Sequence, residues 1–245
     1  MRYLVLSDIH ANSDALDSVL ADAARHRADH VVLLGDLVGY GADPNGVIDR
    51  LEGLGPVFAV RGNHDKAAAA LDDAEGFNVA AKFSAQWTFE TLTDEHRAYL
   101  AALPQGPLLV GDEIECCHGT PYDEDAYVFD EMDALYSLNA SQRNLCLYGH
   151  THNPAVLIYD GSVLDFGPIR GDQTIPMRAG MGYLVNVGAV GQPRDGDPRA
   201  AYGLVDLDRR EVSIYRVAYP IEQAQRRILD AGLPEVLAQR LALGR

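Results

Sequence analysis

The sequence predicts an α/β fold in which two β-sheets pack as a sandwich between flanking helices, giving four layers. Apolar runs alternate with amphipathic segments in the first part of the chain, which is the pattern of a parallel sheet with crossover helices. The later part consists mainly of short apolar runs separated by turns, which predicts a second sheet packed on the first. Short polar motifs follow several apolar runs, so the chemistry is expected at strand ends.

The first part of the chain predicts a βαβαβ unit. Strands are expected at Tyr3–Leu6, Val31–Leu34 and Val57–Val60, because each is a short apolar run. Helices are expected between them, from Asn12 to Arg27 and from Pro44 to Leu51. In sheets of this kind, ligands bind beyond the carboxyl ends of the strands.

The middle of the chain is predicted to contain a helical excursion beside the site, over residues 65–103. A hairpin is expected next, with strands at Leu108–Val110 and Ile114–Cys117. A helix at Glu131–Ala140 and a strand at Asn144–Tyr148 follow. The hairpin and the last strand each end at a histidine motif.

The remainder of the chain is predicted to be mostly β-structure and to end in helices. The expected strands are Ala155–Tyr159, Ser162–Asp165, Gly182–Val187, Ala201–Asp206 and Val212–Val217. Residues 221–245 carry two helical patterns broken by a Gly-Leu-Pro sequence. No repeat or linker divides the chain, so we expect one domain over residues 1–245.

Charge and apolar patterning exclude several classes of partner. The formal net charge is −16 at pH 7, so binding to nucleic acid or to anionic lipid is not expected. The first residues lack the apolar region of a signal peptide, and no apolar run approaches the ~20 residues of a membrane-spanning helix. We therefore expect a cytoplasmic protein. Its three cysteines lie in apolar runs and are expected to be reduced core thiols.

The candidate metal ligands lie in short motifs that each follow an apolar run. Asp8 and His10 are two residues apart, so at the end of an extended strand their side chains would point to the same side. Asp36 begins the next strand-end loop, and its two carboxylate oxygens are suited to bridging two cations. The other candidates add amide oxygen and imidazole nitrogen, and they are Asn63, His118, His150 and His152.

This mixed oxygen and nitrogen donor set indicates two divalent transition-metal ions. Mn²⁺, Fe or Zn²⁺ are expected, and Ni²⁺ or Co²⁺ also fit such donors. Two ions about 3.5–4 Å apart would bind phosphoryl oxygens, lower the pKa of a bridging water and support an in-line displacement. The predicted chemistry is hydrolysis of a phosphate ester without a covalent enzyme intermediate.

His64 and Asp65 are the candidate catalytic residues. His64 follows the candidate ligand Asn63, so its imidazole is placed to protonate a leaving oxygen. Asp65 follows His64, and we expect its carboxylate to orient the ring and to raise the pKa of His64.

These motifs resemble those of a known family. Asp8-Ile9-His10, Gly35-Asp36, Gly62-Asn63-His64-Asp65, His118 and Gly149-His150-Thr151-His152 occur in the order found in the calcineurin-like metallophosphoesterase superfamily. The resemblance covers Met1 to about Val217. The segment Asn186–Arg194 is similar to the small prokaryotic branch of phosphodiesterases and diadenosine tetraphosphatase-like proteins. The resemblance implies a four-layer metallophosphoesterase β-sandwich flanked by helices.

The resemblance also implies a role for each motif residue. One ion would be bound by Asp8, His10, Asp36 and His152, and the second by Asp36, Asn63, His118 and His150. His64 would donate the proton to the leaving group.

One departure from the family pattern bears on the substrate. Protein serine/threonine phosphatases of the superfamily carry a phosphate-binding arginine shortly after the second motif, where this chain has Tyr40. The loss of that guanidinium favours a monoanionic phosphodiester or a nucleotide over a phosphomonoester. Arg194 and Arg199, in a later Gly/Pro-rich loop, are candidates to replace the charge. Asn186, which precedes that loop, is either a turn residue or a substrate contact.

The function expected from the sequence is hydrolysis of a small phosphodiester or nucleotide by a metal-dependent phosphoesterase. The alternatives within the superfamily are a phosphomonoesterase or protein serine/threonine phosphatase, and a non-catalytic interaction module that keeps the fold. A DNA nuclease is disfavoured, because the chain lacks a basic stripe. The oligomeric state is left open.

Overall fold

The computed structural model describes all 245 residues and contains two mixed sheets of six strands each. In sheet order, the strands of the first sheet are β3 (Val57–Ala59), β2 (His30–Leu33), β1 (Arg2–Leu6), β11 (Ala200–Asp206), β12 (Glu211–Val217) and β9 (Gln173–Pro176). Those of the second sheet are β4 (Leu108–Val110), β5 (Ile114–Cys116), β6 (Leu145–Tyr148), β10 (Gly182–Asn186), β7 (Ala155–Tyr159) and β8 (Leu164–Pro168).

Each sheet contains three neighbouring parallel strands. In the first sheet β1 is parallel to β2 and β2 to β3, whereas the other pairs are antiparallel. In the second sheet β5, β6 and β10 form the corresponding parallel set. The carboxyl ends of parallel strands share one edge of a sheet, so the loops that follow these strands can build a common site.

The helices form the two outer layers. Their bounds are α1 (Ser13–Ala23), α2 (Pro44–Glu52), α3 (Asn63–Ala68), α4 (Val79–Thr91), α5 (Asp94–Ala102), α6 (Glu131–Ala140), α7 (Ile221–Asp230) and α8 (Glu235–Leu241). Apolar side chains of α1, α2, α5, α7 and α8 pack with the first sheet. Helix α6 packs on the second sheet through Ala134 and Leu138. The order of layers is therefore helix, sheet, sheet, helix.

The core follows from the alternation of side chains along the strands. On β1, Leu4 and Leu6 face a cluster of 30 buried apolar residues between the first sheet and its helices. Tyr3 and Val5 face a second cluster of 18, which fills the space between the sheets. A third cluster of 8 lies between the second sheet and α6.

Side-chain caps fix the start of the first two helices near the strand ends. Asn12 accepts a hydrogen bond from Ala15 N at the start of α1 and donates one to the carbonyl of Gly191. Asp43 accepts from Gly46 N at the start of α2, where Pro44 occupies the first turn.

The predicted four-layer α/β sandwich is confirmed, with differences in detail. The helix expected to reach Arg27 ends at Ala23, and Arg27 has a left-handed backbone (φ 50°) that turns the chain toward β2. Strand β9 is not predicted, because only Ile175 of its four side chains is buried and the strand lies at a sheet edge.

The remaining predictions concern the cysteines, membrane-spanning helices, the helical segments, the domain count and the location in the cell. The three cysteines are free and buried. The longest helix has 13 residues, and no helix has the length and hydropathy needed to cross a bilayer. The helical excursion predicted over residues 65–103 is observed as α3, α4 and α5, and the helices predicted over residues 221–245 are observed as α7 and α8. That residues 1–245 form one domain stays a prediction, as does the location of the protein in the cell.

Candidate metal centre

The loops after five of the parallel strands bring the predicted metal ligands to one place. Asp8 and His10 follow β1, Asp36 follows β2, and Asn63 is the first residue of α3 after β3. His118 follows β5, and the last two ligands, His150 and His152, follow β6. Residues up to 144 positions apart in the chain thus meet at one edge of the sandwich.

The donor atoms form two groups that share one carboxylate. Asp8, His10, Asp36 and His152 offer donor atoms that all lie within 4.8 Å of one another. Asp36, His118 and His150 form the second group by the same measure, and Asn63 Oδ1 lies 3.2 Å from His118 Nε2. The grouping has the pattern expected from the sequence, with Asp36 in the bridging position. All of these side chains except Asn63 are buried.

Hydrogen bonds to main-chain carbonyls orient the first pair of imidazoles. His10 Nδ1 donates to Val38 O (3.1 Å) and His152 Nδ1 donates to Gln192 O (2.6 Å). A carbonyl oxygen can only accept, so both rings carry the proton on Nδ1. Their Nε2 lone pairs therefore face each other at 3.1 Å. Burial lowers the pKa of both rings well below the usual value, so protonation does not relieve this contact.

Main-chain carbonyls also orient the second pair of imidazoles. His118 Nδ1 donates to Leu34 O (2.7 Å) and His150 Nε2 donates to Asp125 O (3.1 Å). The other ring nitrogens, His118 Nε2 and His150 Nδ1, lie 3.0 Å apart. Carbonyl partners that fix the outer nitrogen of a histidine are typical of metal sites, because they aim the inner lone pair at the ion.

Charge interactions around Asp36 favour a positive group beside its carboxylate. Burial acts to lower the pKa of His118, but the Asp36 carboxylate outweighs it and raises that pKa to about 10. Burial acts to raise the pKa of Asp36, but His118 and His64 hold it well below its usual value. A divalent cation between these groups would supply the same charge, so the donor set fits a metal ion.

The backbone of the ligand residues is strained. Asp8, His10, Asp36, His150 and His152 all have φ between 50° and 66°, a left-handed conformation that residues other than glycine rarely adopt. The expectation that Asp8 and His10 continue an extended strand is therefore wrong, because β1 ends at Leu6. Both side chains still reach the site, because the left-handed turns direct them there.

Glycines in the motifs allow the close packing of the loops. A Cβ atom on Gly35, which has φ of 90°, would lie 2.6 Å from Gly62 N and 2.7 Å from His118 Nδ1. A Cβ atom on Gly62 would contact Asp36 Oδ1. Glycine is required at both positions because any side chain would displace a candidate ligand.

His64 lies at the edge of the metal centre. Its main-chain N–H donates to Asp36 Oδ1 (2.9 Å), and its ring packs between Tyr40 (4.3 Å between centroids) and Phe77 (4.6 Å). The Nδ1 atom is buried and has no hydrogen-bond partner. Burial lowers the pKa of His64 to about 4. The ring lines a cleft of about 100 Å³ that opens on Asp36, His150 and His152.

The predicted pairing of Asp65 with the His64 ring is wrong. Both Asp65 oxygens accept main-chain N–H groups, from Leu37 (2.8 Å), Val38 (3.1 Å) and Gly62 (2.9 Å). The carboxylate therefore ties the Asp36 loop to the start of α3, and the pKa of His64 is lowered and not raised. The two residues are adjacent in sequence, but the helical turn directs their side chains to different partners.

Of the predicted substrate residues, Tyr40 and Arg194 line the cleft, whereas Asn186 and Arg199 do not. Asn186 is fully buried and holds the Gly149 loop, donating to Gly149 O (2.7 Å) and accepting from Gly188 N (2.7 Å). Arg199 is exposed and forms an ion pair with Asp197 (2.6 Å). The first is thus a turn residue, and the second is held by its own loop.

Three residues near the site are missed by the sequence analysis. The Tyr127 ring lies 3.8 Å from the His150 ring between centroids, Phe77 packs on His64, and Arg240 lies near Tyr40. No motif marks these residues, since they come from a loop, the helical excursion and the last helix. Only the tertiary structure brings them to the site.

Comparison with known proteins decides the family. Residues 1–210 match the model of the calcineurin-like phosphoesterase superfamily domain. The chain belongs to this superfamily. The resemblance found in the sequence motifs is confirmed, and so is the expectation of a phosphoesterase hydrolase.

Several relatives of this superfamily member align over most of its length. The uncharacterized protein MJ0912 of Methanocaldococcus jannaschii is 34% identical, and the alignment covers 98% of this chain and 97% of the relative. Phosphodiesterase YfcE of Escherichia coli is 27% identical, covering 85% of this chain and 89% of its own. The crystal structure of a metallophosphoesterase from Sphaerobacter thermophilus is 38% identical with a TM-score of 0.87, and covers 100% of both chains.

The contacts of Asp65 predict a structural role that can be measured. Asp65→Ala removes a buried acceptor of three main-chain N–H groups, so we expect the free energy of unfolding to fall by about 3 kcal/mol or more. Denaturant unfolding measures the change, with Asp165→Ala at an exposed carboxylate as the control. Unchanged stability together with lost turnover would contradict the structural role and restore a catalytic one.

Proposed function

We propose that the protein is a dinuclear metal-dependent phosphoesterase that hydrolyses a small phosphodiester or nucleotide. The observation that carries the proposal is the meeting of four buried imidazoles around the Asp36 carboxylate, with the unprotonated Nε2 atoms of His10 and His152 only 3.1 Å apart. Lone pairs at such distances repel one another unless a cation lies between them. A fold that holds them so, on a strained backbone, favours metal binding.

The donor set supports two transition-metal ions of the kind expected from the sequence. Asp8, His10, Asp36 and His152 would hold one ion, and Asp36, Asn63, His118 and His150 the other. Mixed imidazole and carboxylate ligands suit Mn²⁺, Fe or Zn²⁺, and also Ni²⁺ or Co²⁺. When bound, the ions supply Lewis acidity toward phosphoryl oxygens and a water of lowered pKa.

His64 is the proposed proton donor to the leaving oxygen. Its ring lines the cleft beside Asp36, and its position is fixed by the bond from its own N–H to that carboxylate. Burial keeps the free imidazole neutral, with a pKa of about 4. The negative charge of a phosphate ester in the cleft favours the imidazolium and raises this pKa. Binding of an anionic substrate therefore acts in the direction that loads the proton on His64.

The cleft favours a monoanionic ester over a dianionic one. Tyr40 occupies the place where phosphatases of the superfamily have an arginine, and Arg194 is the cationic side chain that lines the cleft. The Arg194 guanidinium lies 5.7 Å from the centroid of the Tyr40 ring, so it supplies one charge beside the position left by the substitution. The name of the relative YfcE, a phosphodiesterase, agrees with this preference. The net charge of −16 disfavours polymeric nucleic acid as substrate.

The test of the proposal compares bis-p-nitrophenyl phosphate with p-nitrophenyl phosphate. Metal-stripped protein is resupplied in turn with Mn²⁺, Ni²⁺, Zn²⁺ and Mg²⁺, and p-nitrophenolate release is followed. We expect diester cleavage that returns with metal and exceeds monoester cleavage. A preference for the monoester would favour the phosphatase alternative. Failure of every ester with two ions bound would favour the interaction module.

The shared carboxylate gives a prediction about metal content. Asp36→Asn removes the bridging charge, so we expect both ions to be lost or weakened and activity to be abolished, while the fold is kept. His150→Ala should weaken one ion only, because it belongs to one group. Metal content per chain after gel filtration measures both effects, and Asp165→Asn, at an exposed carboxylate outside every donor group, is the control. Full metal content in Asp36→Asn would reject the bridging role.

The proton-donor role predicts a dependence on the leaving group. His64→Ala should lower turnover of adenosine 5′-methyl phosphate by roughly 10²–10⁴-fold, the range for a lost general acid. Hydrolysis of bis-p-nitrophenyl phosphate should change much less, because p-nitrophenolate leaves without a proton. Metal content should stay constant, since His64 is in neither donor group. Equal losses on the two esters would exclude His64 as the proton donor.

A further inference from the structure

Two guanidinium groups from distant parts of the chain meet at Tyr40. Arg194 lies in the loop after β10, and Arg240 lies on α8. The Cζ atom of each is 5.7 Å from the centroid of the Tyr40 ring. The Tyr40 ring in turn lies 4.7 Å from His10 and 4.3 Å from His64, so both positive charges lie close to the metal centre.

Neither arginine has a carboxylate side chain as a partner. Arg194 donates to the Gln192 side chain (3.0 Å), and its Nε atom is buried without a partner. Arg240 donates to the main-chain oxygen of Arg245 and makes no ion pair with an acidic side chain. The chain contains 36 acidic residues against 20 basic ones, so carboxylates are abundant elsewhere on the molecule. Two neighbouring cations without an acidic side-chain partner, in such a chain, indicate a place for an anionic ligand.

The two arginines are held in place by the fold. Gly196 N donates to Gly244 O (3.0 Å), which ties the loop of Arg194 to the end of the chain that carries Arg240. Leu237 and Leu241, which flank Arg240 on α8, are buried in the core against the first sheet. Burial and the charge of Arg194 lower the pKa of Arg240. The helix therefore keeps like charges together, an arrangement that an anion would stabilise.

The positions of the two side chains indicate different roles for Arg194 and Arg240. Arg194 lines the cleft with Asp36 and His152, where the reacting phosphorus would lie. Arg240 does not line that cleft, although it is as close to Tyr40 as Arg194 is. An anion held by Arg240 is therefore a neighbour of the reacting group and not the reacting group itself.

We propose that Arg240, together with Arg194, forms a subsite for a second phosphate next to the one that is hydrolysed. The substrate class is then a nucleotide or another ester with at least two linked phosphates. The inference rests on the proposed function, and it adds the last helix to the specificity-determining part of the site. Arginine suits this role because its planar fork binds two phosphate oxygens at once.

The test uses AMP and ADP, which differ by one phosphate, as inhibitors of bis-p-nitrophenyl phosphate hydrolysis by Mn²⁺-loaded protein. Mn²⁺ is kept in excess of nucleotide. We expect ADP to bind more tightly than AMP, and Arg240→Gln to weaken ADP by about 10- to 100-fold, as for a lost charged hydrogen-bond donor. Arg240→Lys should recover part of the loss. AMP inhibition should change little in either variant.

The matched control is Arg226→Gln on α7, an exposed arginine that also lacks a carboxylate partner. This variant should leave both inhibition constants unchanged. An unchanged ADP constant in Arg240→Gln would overturn the subsite, and so would equal losses of AMP and ADP. If Arg240→Gln melts at a lower temperature than the wild-type protein, the subsite is judged on Arg240→Lys, because that variant keeps a positive charge. The quantity compared is then the ratio of its ADP and AMP inhibition constants.

Failure of the proposed function has a different signature. If the wild-type protein hydrolyses neither ester, the binding of AMP and ADP to the Mn²⁺-loaded protein is measured by calorimetry with the same variants. A selective loss of ADP binding in Arg240→Gln would then support the subsite even though the hydrolytic assignment had failed. The subsite would be overturned if the wild-type protein and Arg240→Gln bound both AMP and ADP with equal affinity.

Discussion

The structure depends on one unfavourable arrangement, in which unprotonated imidazole nitrogens and a shared carboxylate point at common centres. Their mutual repulsion would separate them if the chain were free to relax. Main-chain carbonyls prevent this by holding the outer nitrogens of the rings, from Val38 at one side to Gln192 at the other. The two sheets are the frame that keeps these carbonyls in place, so the sandwich core maintains the site.

The ligand loops show how the frame and the site are joined. The parallel strands end before the candidate ligands, and the loops after β1, β2 and β6 then turn through left-handed residues that present the side chains. Such turns are unfavourable on their own, and interactions between loops compensate. Asp65 is the clearest example, because its carboxylate accepts hydrogen bonds from two loops and lies in the centre of neither metal group.

Most of the fold and the full set of candidate ligands could be predicted from the sequence. Short apolar runs define strands, and a polar residue placed just after such a run is at a sheet edge whatever the rest of the chain does. Asp36 and His152 could be assigned on that basis. The partners of Asp65 and Asn186 could not, because both bind main-chain groups that carry no sequence signal. Arg240 was missed for a related reason, since only the packing of α8 brings it to Tyr40.

The position of α8 has a consequence for how the boundaries of this protein are drawn. The part of the chain shared with the superfamily model ends at residue 210, within the turn before β12. A protein cut at that point would lose β12 and leave the edge strand β9 without its neighbour in the first sheet. It would also expose the core surface covered by Leu237 and Leu241, and lack Arg240. The proposed phosphate subsite would therefore depend on a residue that lies outside the shared domain.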